Sequence, residues 1–82
     1  MTDQPDTIKM YGANWCPDCR QAKAFFGEQR IHYNYIDLDQ YPDAVAEVER
    51  INNGMRSIPT IIFPDGTILV EPSTTELAAK IG

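Results

Sequence analysis

The chain has two cysteines, and they stand two residues apart in Trp15-Cys16-Pro17-Asp18-Cys19, where a strand-like run gives way to a helix-like one. That position restricts the local fold. If Pro17 is the first helical residue, Cys16 is the N-cap and both sulfurs leave the same helix end, at a separation a disulfide can bridge. A thiolate at Cys16 then takes the place of a capping oxygen, accepting orphan backbone N–H groups at the positive end of the helix dipole. Such an environment lowers a thiol's pKa, and the thiolate is the nucleophile. The spacing therefore points to reversible disulfide chemistry. A structural staple is the alternative, but closing so small a loop removes little entropy from the unfolded chain.

Eighty-two residues suffice for one small domain with one core, so the chemistry belongs on one surface. The expected division is a flexible tail over residues 1–6 and a single domain over 7–82. A hydrophobic content of 43% with 23% charged residues is globular rather than disordered composition. A net charge of -5 supplies no basic footprint, which argues against nucleic acid as a partner. No apolar run approaches the roughly 18 residues of a membrane span, and Met1 to Asp6 are polar and acidic where a secretory signal is basic and then apolar. The expectation is a soluble, cytoplasmic monomer.

Periodicity sets the order of elements. Thr7 to Tyr11 alternates as a strand and Gly12-Ala13-Asn14 breaks it. A helix follows from about Pro17 to Arg30, with Ala22, Phe25, Phe26 and Gln29 on one stripe and Arg20, Lys23 and Glu28 opposite it as a solvated face; Gly27 weakens this helix without ending it. Tyr33 to Leu38 alternates again, and a right-handed crossover makes this strand parallel to the first. Pro42 suits the first position of a second helix that buries Val45, Val48 and Ile51 and stops at Asn52-Asn53-Gly54. Pro59 to Phe63 and Thr67 to Val70 flank Pro64-Asp65-Gly66 as an antiparallel hairpin. Ser73 and Glu76 are spaced as a capping box opening a last helix with Leu77, Ala78 and Ile81 on its buried face. The order is β-α-β-α-β-β-α.

That order, with Cys-x-x-Cys at the first helix and Ser57-Ile58-Pro59-Thr60 opening the third strand, resembles the glutaredoxin branch of the thioredoxin fold over about Thr7 to Gly82. The resemblance implies an α/β thioredoxin-like fold with a four-stranded mixed sheet in order 2-1-3-4. It also implies a cis bond before Pro59, which faces the cysteines and presents the backbone of Ile58 to an extended substrate. Where typical glutaredoxins carry a Gly-Gly pair and an Asp to hold glutathione, this chain has Val70-Glu71-Pro72-Ser73-Thr74, with Ser73 and Thr74 the candidate contacts for a small thiol. Asn53 to Thr60 together with Glu71-Pro72-Ser73 is most similar to the mycoredoxins, actinobacterial glutaredoxins that act with mycothiol, although the usual middle pair Gly-Tyr is replaced by Pro17-Asp18.

These residues imply a dithiol oxidoreductase that reduces protein disulfides or mixed disulfides, with mycothiol or glutathione as co-substrate and no bound cofactor. Cys16 is the nucleophile, on the exposed side of the helix end, and Cys19 resolves, its thiol kept protonated by burial in the first turn. Pro17 and Asp18 modulate the thiolate. At about 7 Å in bulk-like dielectric the Asp18 carboxylate opposes it by about 0.6 kcal/mol, whereas a helix terminus contributes up to about 2 kcal/mol the other way. Replacing Asp18 by Asn or Tyr is thus expected to favour the thiolate. Trp15, and more weakly Tyr11, are candidate walls beside the sulfur, or simply packing residues. Arg56 is a candidate for holding the small thiol's polar groups, or a solvated loop charge. His32 is structural or solvated, and two cysteines with one distant histidine do not make a zinc site. Two alternatives remain: a redoxin reduced directly by thioredoxin reductase, like those serving ribonucleotide reductase, and a redox-sensing module without turnover.

Overall fold

The computed structural model describes residues 7–81, so the tail assigned to residues 1–6 lies outside the described residues. Seven elements follow the expected order: β1 (Ile8–Gly12), α1 (Pro17–Glu28), β2 (Tyr33–Asp37), α2 (Ala44–Ile51), β3 (Thr60–Ile62), β4 (Ile68–Val70) and α3 (Thr74–Ile81). They form one four-stranded sheet in the order β2-β1-β3-β4. β1 runs parallel to β2, with Ile8 beside Tyr33 and Gly12 beside Asp37, and antiparallel to β3, which pairs antiparallel with β4.

Alternation along β1 divides the core in two. Ile8 and Met10 join Ala22, Phe25 and Phe26 of α1, Ile61 and Phe63 from the hairpin and Leu77 of α3. Tyr11 points to the other face and packs with Leu38 and Val48, under α2. Side chains of period two on the strand thus meet stripes of period 3.6 on helices lying on opposite faces of the sheet. Phe26 has no exposed surface and packs against Tyr33 with ring centroids 5.0 Å apart and the planes tilted by 40°. Burying such a ring contributes roughly 2–3 kcal/mol.

Local signals account for most element ends. At the C-terminus of α1, Ile31 N–H bonds the Phe26 carbonyl at 2.9 Å and Arg30 N–H that of Gly27 at 3.1 Å, with Arg30 at φ 56°. This is a Schellman motif with arginine in the left-handed position. α2 ends in the same way, Gly54 N–H reaching the Glu49 carbonyl at 2.6 Å past Asn53 at φ 56°. At α3 the capping box forms, Ser73 Oγ accepting Glu76 N–H at 3.1 Å and Glu76 Oε1 accepting Ser73 N–H at 2.8 Å.

Three expectations are corrected. α2 begins at Ala44, not Pro42, because the first bonds, Ala44 N–H to Tyr41 and Val45 N–H to Pro42, span three residues and make a tight turn ahead of the helix. Gln29 is exposed, since α1 stops at Glu28 and Gln29 is its C-cap. Ala78 and Ile81 are exposed and only Leu77 of α3 is buried. Lys80, three residues beyond Leu77 and so on its face, covers the Phe63 ring at 5.3 Å where an apolar residue was expected.

Candidate active site

The site is built where β1 ends, α1 begins and the segment before β3 crosses them. Cys16 is the N-cap of α1, in extended conformation at φ -83° and ψ 118°, with Pro17 first in the helix. Its Sγ accepts the backbone N–H of Cys19 at 3.3 Å. The sulfur therefore occupies the place of a capping oxygen, as Pro17 and the spacing predict. Its amide is also anchored, donating to the Ala13 carbonyl at 3.1 Å. Cys16 is 7% exposed, so it is nearly buried rather than standing on an open face. Ala13 forms one buried cluster with the two cysteines, and Ile58 packs against it.

Cys19 differs in degree and in consequence. It has no exposed surface, and desolvation by burial pushes its thiol from 9.0 up to about 12. The hydrogen bond to Cys16 and the charges of Cys16 and Asp18 act in the same direction, against a backbone hydrogen bond at Ala13. Both thiols are free. The pair thus places one sulfur at a helix terminus and a second, more deeply buried and protonated sulfur in the first turn.

Beneath the pair lies Gly12, where a side chain is excluded: a Cβ there would stand 2.8 Å from Cys19 Sγ and 3.2 Å from Cε1 of Tyr35. Gly12 was legible in the sequence only as a strand breaker, and Tyr35 only as a strand residue. In the fold they form the floor of the site. Burial pushes the Tyr35 phenol up to about 12, helped by the neighbouring charges of Cys19, Asp37 and Cys16. Its hydroxyl donates to Asn14 Oδ1 at 3.3 Å.

The remaining candidates fall at different distances from the sulfurs. Ile58 packs on the cysteine cluster and the Ile58–Pro59 bond is cis. Pro59 is buried, and its carbonyl accepts Glu71 N–H at 2.8 Å. The segment is held from behind, Thr60 Oγ1 donating to the Ser57 carbonyl at 2.7 Å and Asn52 Nδ2 donating to Thr60 Oγ1 at 3.0 Å. Trp15 is 65% exposed, its ring held by an Nε1 bond to Asp39 Oδ2 at 3.0 Å. Tyr11 is buried in the core under α2, which makes it a packing residue. Asp18 is exposed in the first turn of α1. Thr74 Oγ1 accepts Gln21 Nε2 at 3.1 Å, bringing the start of α3 against α1, while Ser73 is engaged in its own capping box. Arg56 and His32 are exposed. Among the described residues no helix is long and apolar enough to cross a membrane, and no three His, Cys, Asp or Glu side chains are grouped as metal ligands.

Comparison with known proteins agrees with this arrangement. The glutaredoxin family profile matches residues 8–68. Mycoredoxin 1 of Corynebacterium glutamicum is 37% identical over 75 residues, covering 90% of this chain and 91% of that protein. The glutaredoxin-like protein NrdH of Lactococcus lactis is 33% identical over 58 residues, 71% of this chain and 78% of that protein. Among solved structures, a glutaredoxin from Archaeoglobus fulgidus superposes with a TM-score of 0.78 over 95% of this chain and 89% of its own, at 21% identity, which speaks to the fold. With a cysteine pair on the first helix of a 2-1-3-4 sheet and a family profile spanning most of the domain, the chain belongs to the glutaredoxin family.

Proposed function

We propose that the protein is a dithiol oxidoreductase that reduces protein disulfides, or mixed disulfides between a protein and a small thiol, and that mycothiol is the small thiol that regenerates it. The observation that carries the chemistry is the asymmetry of the pair: Cys16 Sγ caps the helix and accepts Cys19 N–H at 3.3 Å, while Cys19 is buried and held protonated. The choice of mycothiol rests on likeness to Mycoredoxin 1 and on Glu71-Pro72-Ser73 standing where a glycine pair would hold glutathione.

In this reading the cycle has two steps. The Cys16 thiolate attacks one sulfur of the substrate disulfide, and the other sulfur leaves as a thiolate that takes a proton from solvent, giving a mixed disulfide at Cys16. Cys19, or a second small thiol, then attacks Cys16 Sγ and releases the bound partner. In this reading Ile58 and Pro59 present an extended substrate to Cys16, and Trp15 walls one side. Ser73 and Thr74, at the start of α3, and Arg56, on its exposed loop, contact the small thiol. Pro17 and Asp18 tune the helix end. The setting is the cytoplasm, where such thiol pairs are kept reduced.

A second reading is reduction directly by a thioredoxin reductase, favoured by the similarity to NrdH. Parallel NADPH-consumption assays coupled to mycothiol, glutathione or thioredoxin reductase separate the donors. Turnover with mycothiol is expected; turnover with thioredoxin reductase alone would overturn the choice of donor while leaving the chemistry. Loss of turnover in Cys16→Ser and its survival in Cys19→Ser with mixed-disulfide substrates is the expected pattern. Slow exchange with every donor would instead make the chain a redox-sensing module.

A further inference from the structure

Lys23 was expected on the solvated face of α1, and the structure places it elsewhere. It is half-buried, its Nζ lies 4.0 Å from the centroid of the Tyr35 ring, and it donates to Asn14 Oδ1 at 3.4 Å, the same oxygen that accepts the Tyr35 hydroxyl. Three elements are tied at this point: the loop that carries Cys16, the helix that carries Cys19 and the strand beneath both. Cys19 and Lys23 are four residues apart in one helix and so share a face, with Cβ atoms about 5–6 Å apart. The Cys19 thiol and the Tyr35 ring edge both border the space left by the missing side chain of Gly12, 2.8 and 3.2 Å from where its Cβ would stand.

Cys19 has a problem that this arrangement addresses. To resolve a mixed disulfide it must lose its proton while fully buried, and the ionisable groups around it are mostly acidic: Cys16 and Asp18 on α1, and Tyr35 on β2 with Tyr33 and Asp37 beside it. The segment before β3 contributes the apolar Ile58, and the start of α3 meets α1 through the uncharged Gln21–Thr74 pair. Lys23 brings positive charge to this group. An ammonium stacked on an aromatic face in partly dry surroundings is held more firmly than a solvated lysine.

We propose that Lys23, seated on Tyr35 and tethered by Asn14, is a positioning residue for the second half of the reaction, its ammonium stabilising the thiolate that Cys19 becomes as it attacks the mixed disulfide at Cys16. The step balances. The Cys19 sulfur forms a bond to Cys16 Sγ, the bond from Cys16 to the partner sulfur breaks, the partner leaves as a thiolate that takes up the proton Cys19 gave up, and the two cysteines are oxidised as the partner is reduced. The proposal rests on the dithiol reading above. A unit charge at about 7 Å across partly hydrated protein changes the thiolate fraction roughly three- to tenfold.

The neutral reagent dithiodipyridine tests both readings in one trace. Attack by Cys16 releases one pyridinethione and leaves the other on Cys16; attack by Cys19 releases the second. Stopped-flow release across a range of pH is compared for the wild type and for Lys23→Arg, Lys23→Gln and Lys23→Glu, with thermal melts confirming that each is folded. The expected result is a first phase that changes little and a second phase ordered by charge: Arg about equal to the wild type, Gln roughly three- to tenfold slower at neutral pH, Glu slower still, the pH midpoint of that phase rising in the same order. A second phase insensitive to the charge at residue 23, or equally impaired in Arg and Gln, would overturn the role of Lys23 and leave the dithiol mechanism standing. Release of a single equivalent by the wild type would overturn the dithiol mechanism itself.

Discussion

Gly12 shows how a single missing side chain shapes this site. A methyl group at that position would sit 2.8 Å from Cys19 Sγ, closer than carbon and sulfur tolerate, and 3.2 Å from the Tyr35 ring. Neither neighbour can retreat easily, because Cys19 is in the first turn of α1 and Tyr35 is paired in the sheet with Met10. Gly12→Ala is therefore expected to destabilise the fold by about 1–3 kcal/mol, as overpacking does, and to slow Cys19-dependent resolution more than initial attack by Cys16. Urea denaturation and two-phase thiol release measure the two effects, and an alanine variant as stable and as fast as the wild type would refute the close packing. The placement of the cysteines, Pro17 and Asp18 at the helix start was legible because helix capping is local: a cap, a first-position proline and an acidic first turn all act within a few residues. Gly12 and Tyr35 were not, since each matters through an atom supplied by another element. Trp15 lies between these cases: its position beside Cys16 was legible, and its anchoring by Asp39 was not.

Element ends repeat this division. The stops of α1 and α2 are both Schellman motifs, yet the left-handed position holds Arg30 in one and Asn53 in the other, where glycine would adopt the angle without a Cβ penalty. Arg30→Gly should stabilise the protein by up to about 1 kcal/mol, read as a higher denaturation midpoint with an unchanged slope; a loss of stability would mean that the arginine side chain matters more than its backbone angle. The capping box at Ser73 was predictable from two residues at a spacing of three, and it formed. The burial of α3 was not predictable in this way. Helical spacing nominates Leu77, Ala78 and Ile81 equally, and only the angle at which α3 meets α1 and the hairpin decides that Leu77 is inside and Lys80 lies over Phe63. The delayed start of α2 has a similar origin, since Tyr41 is already bonded to the Asp37 carbonyl at 2.9 Å and the chain completes that turn before the helix can begin.

At the scale of the whole molecule, the buried thiol links chemistry to stability. Cys19 holds its proton to about 12 in the folded state against 9.0 when unperturbed, and Tyr35 to about 12 against 10.0. For groups whose folded pKa is raised, the stabilisation is fully present below the unfolded pKa and is lost as pH rises through the folded one. Reduced protein should therefore lose stability from about pH 9 towards 12, and Cys19→Ala should lose less over the same interval, retaining the part that comes from Tyr35 and from Tyr33, whose phenol burial also raises. Denaturation midpoints of both proteins across that window decide it, and parallel curves would show that burial of this thiol is not what sets alkaline stability. Sequence alone determined the order of elements, the fold family and the cysteine pair, because hydrophobic periodicity, turn residues and capping act over short stretches of chain. The tertiary structure decided what surrounds that pair: the Gly12 floor, the Tyr35 ring with Lys23 over it, the near-complete burial of Cys16 and the anchored Ile58–Pro59 segment. These arise from contacts between side chains far apart in sequence, whose meeting depends on how strands register and helices dock, and no local pattern encodes that geometry.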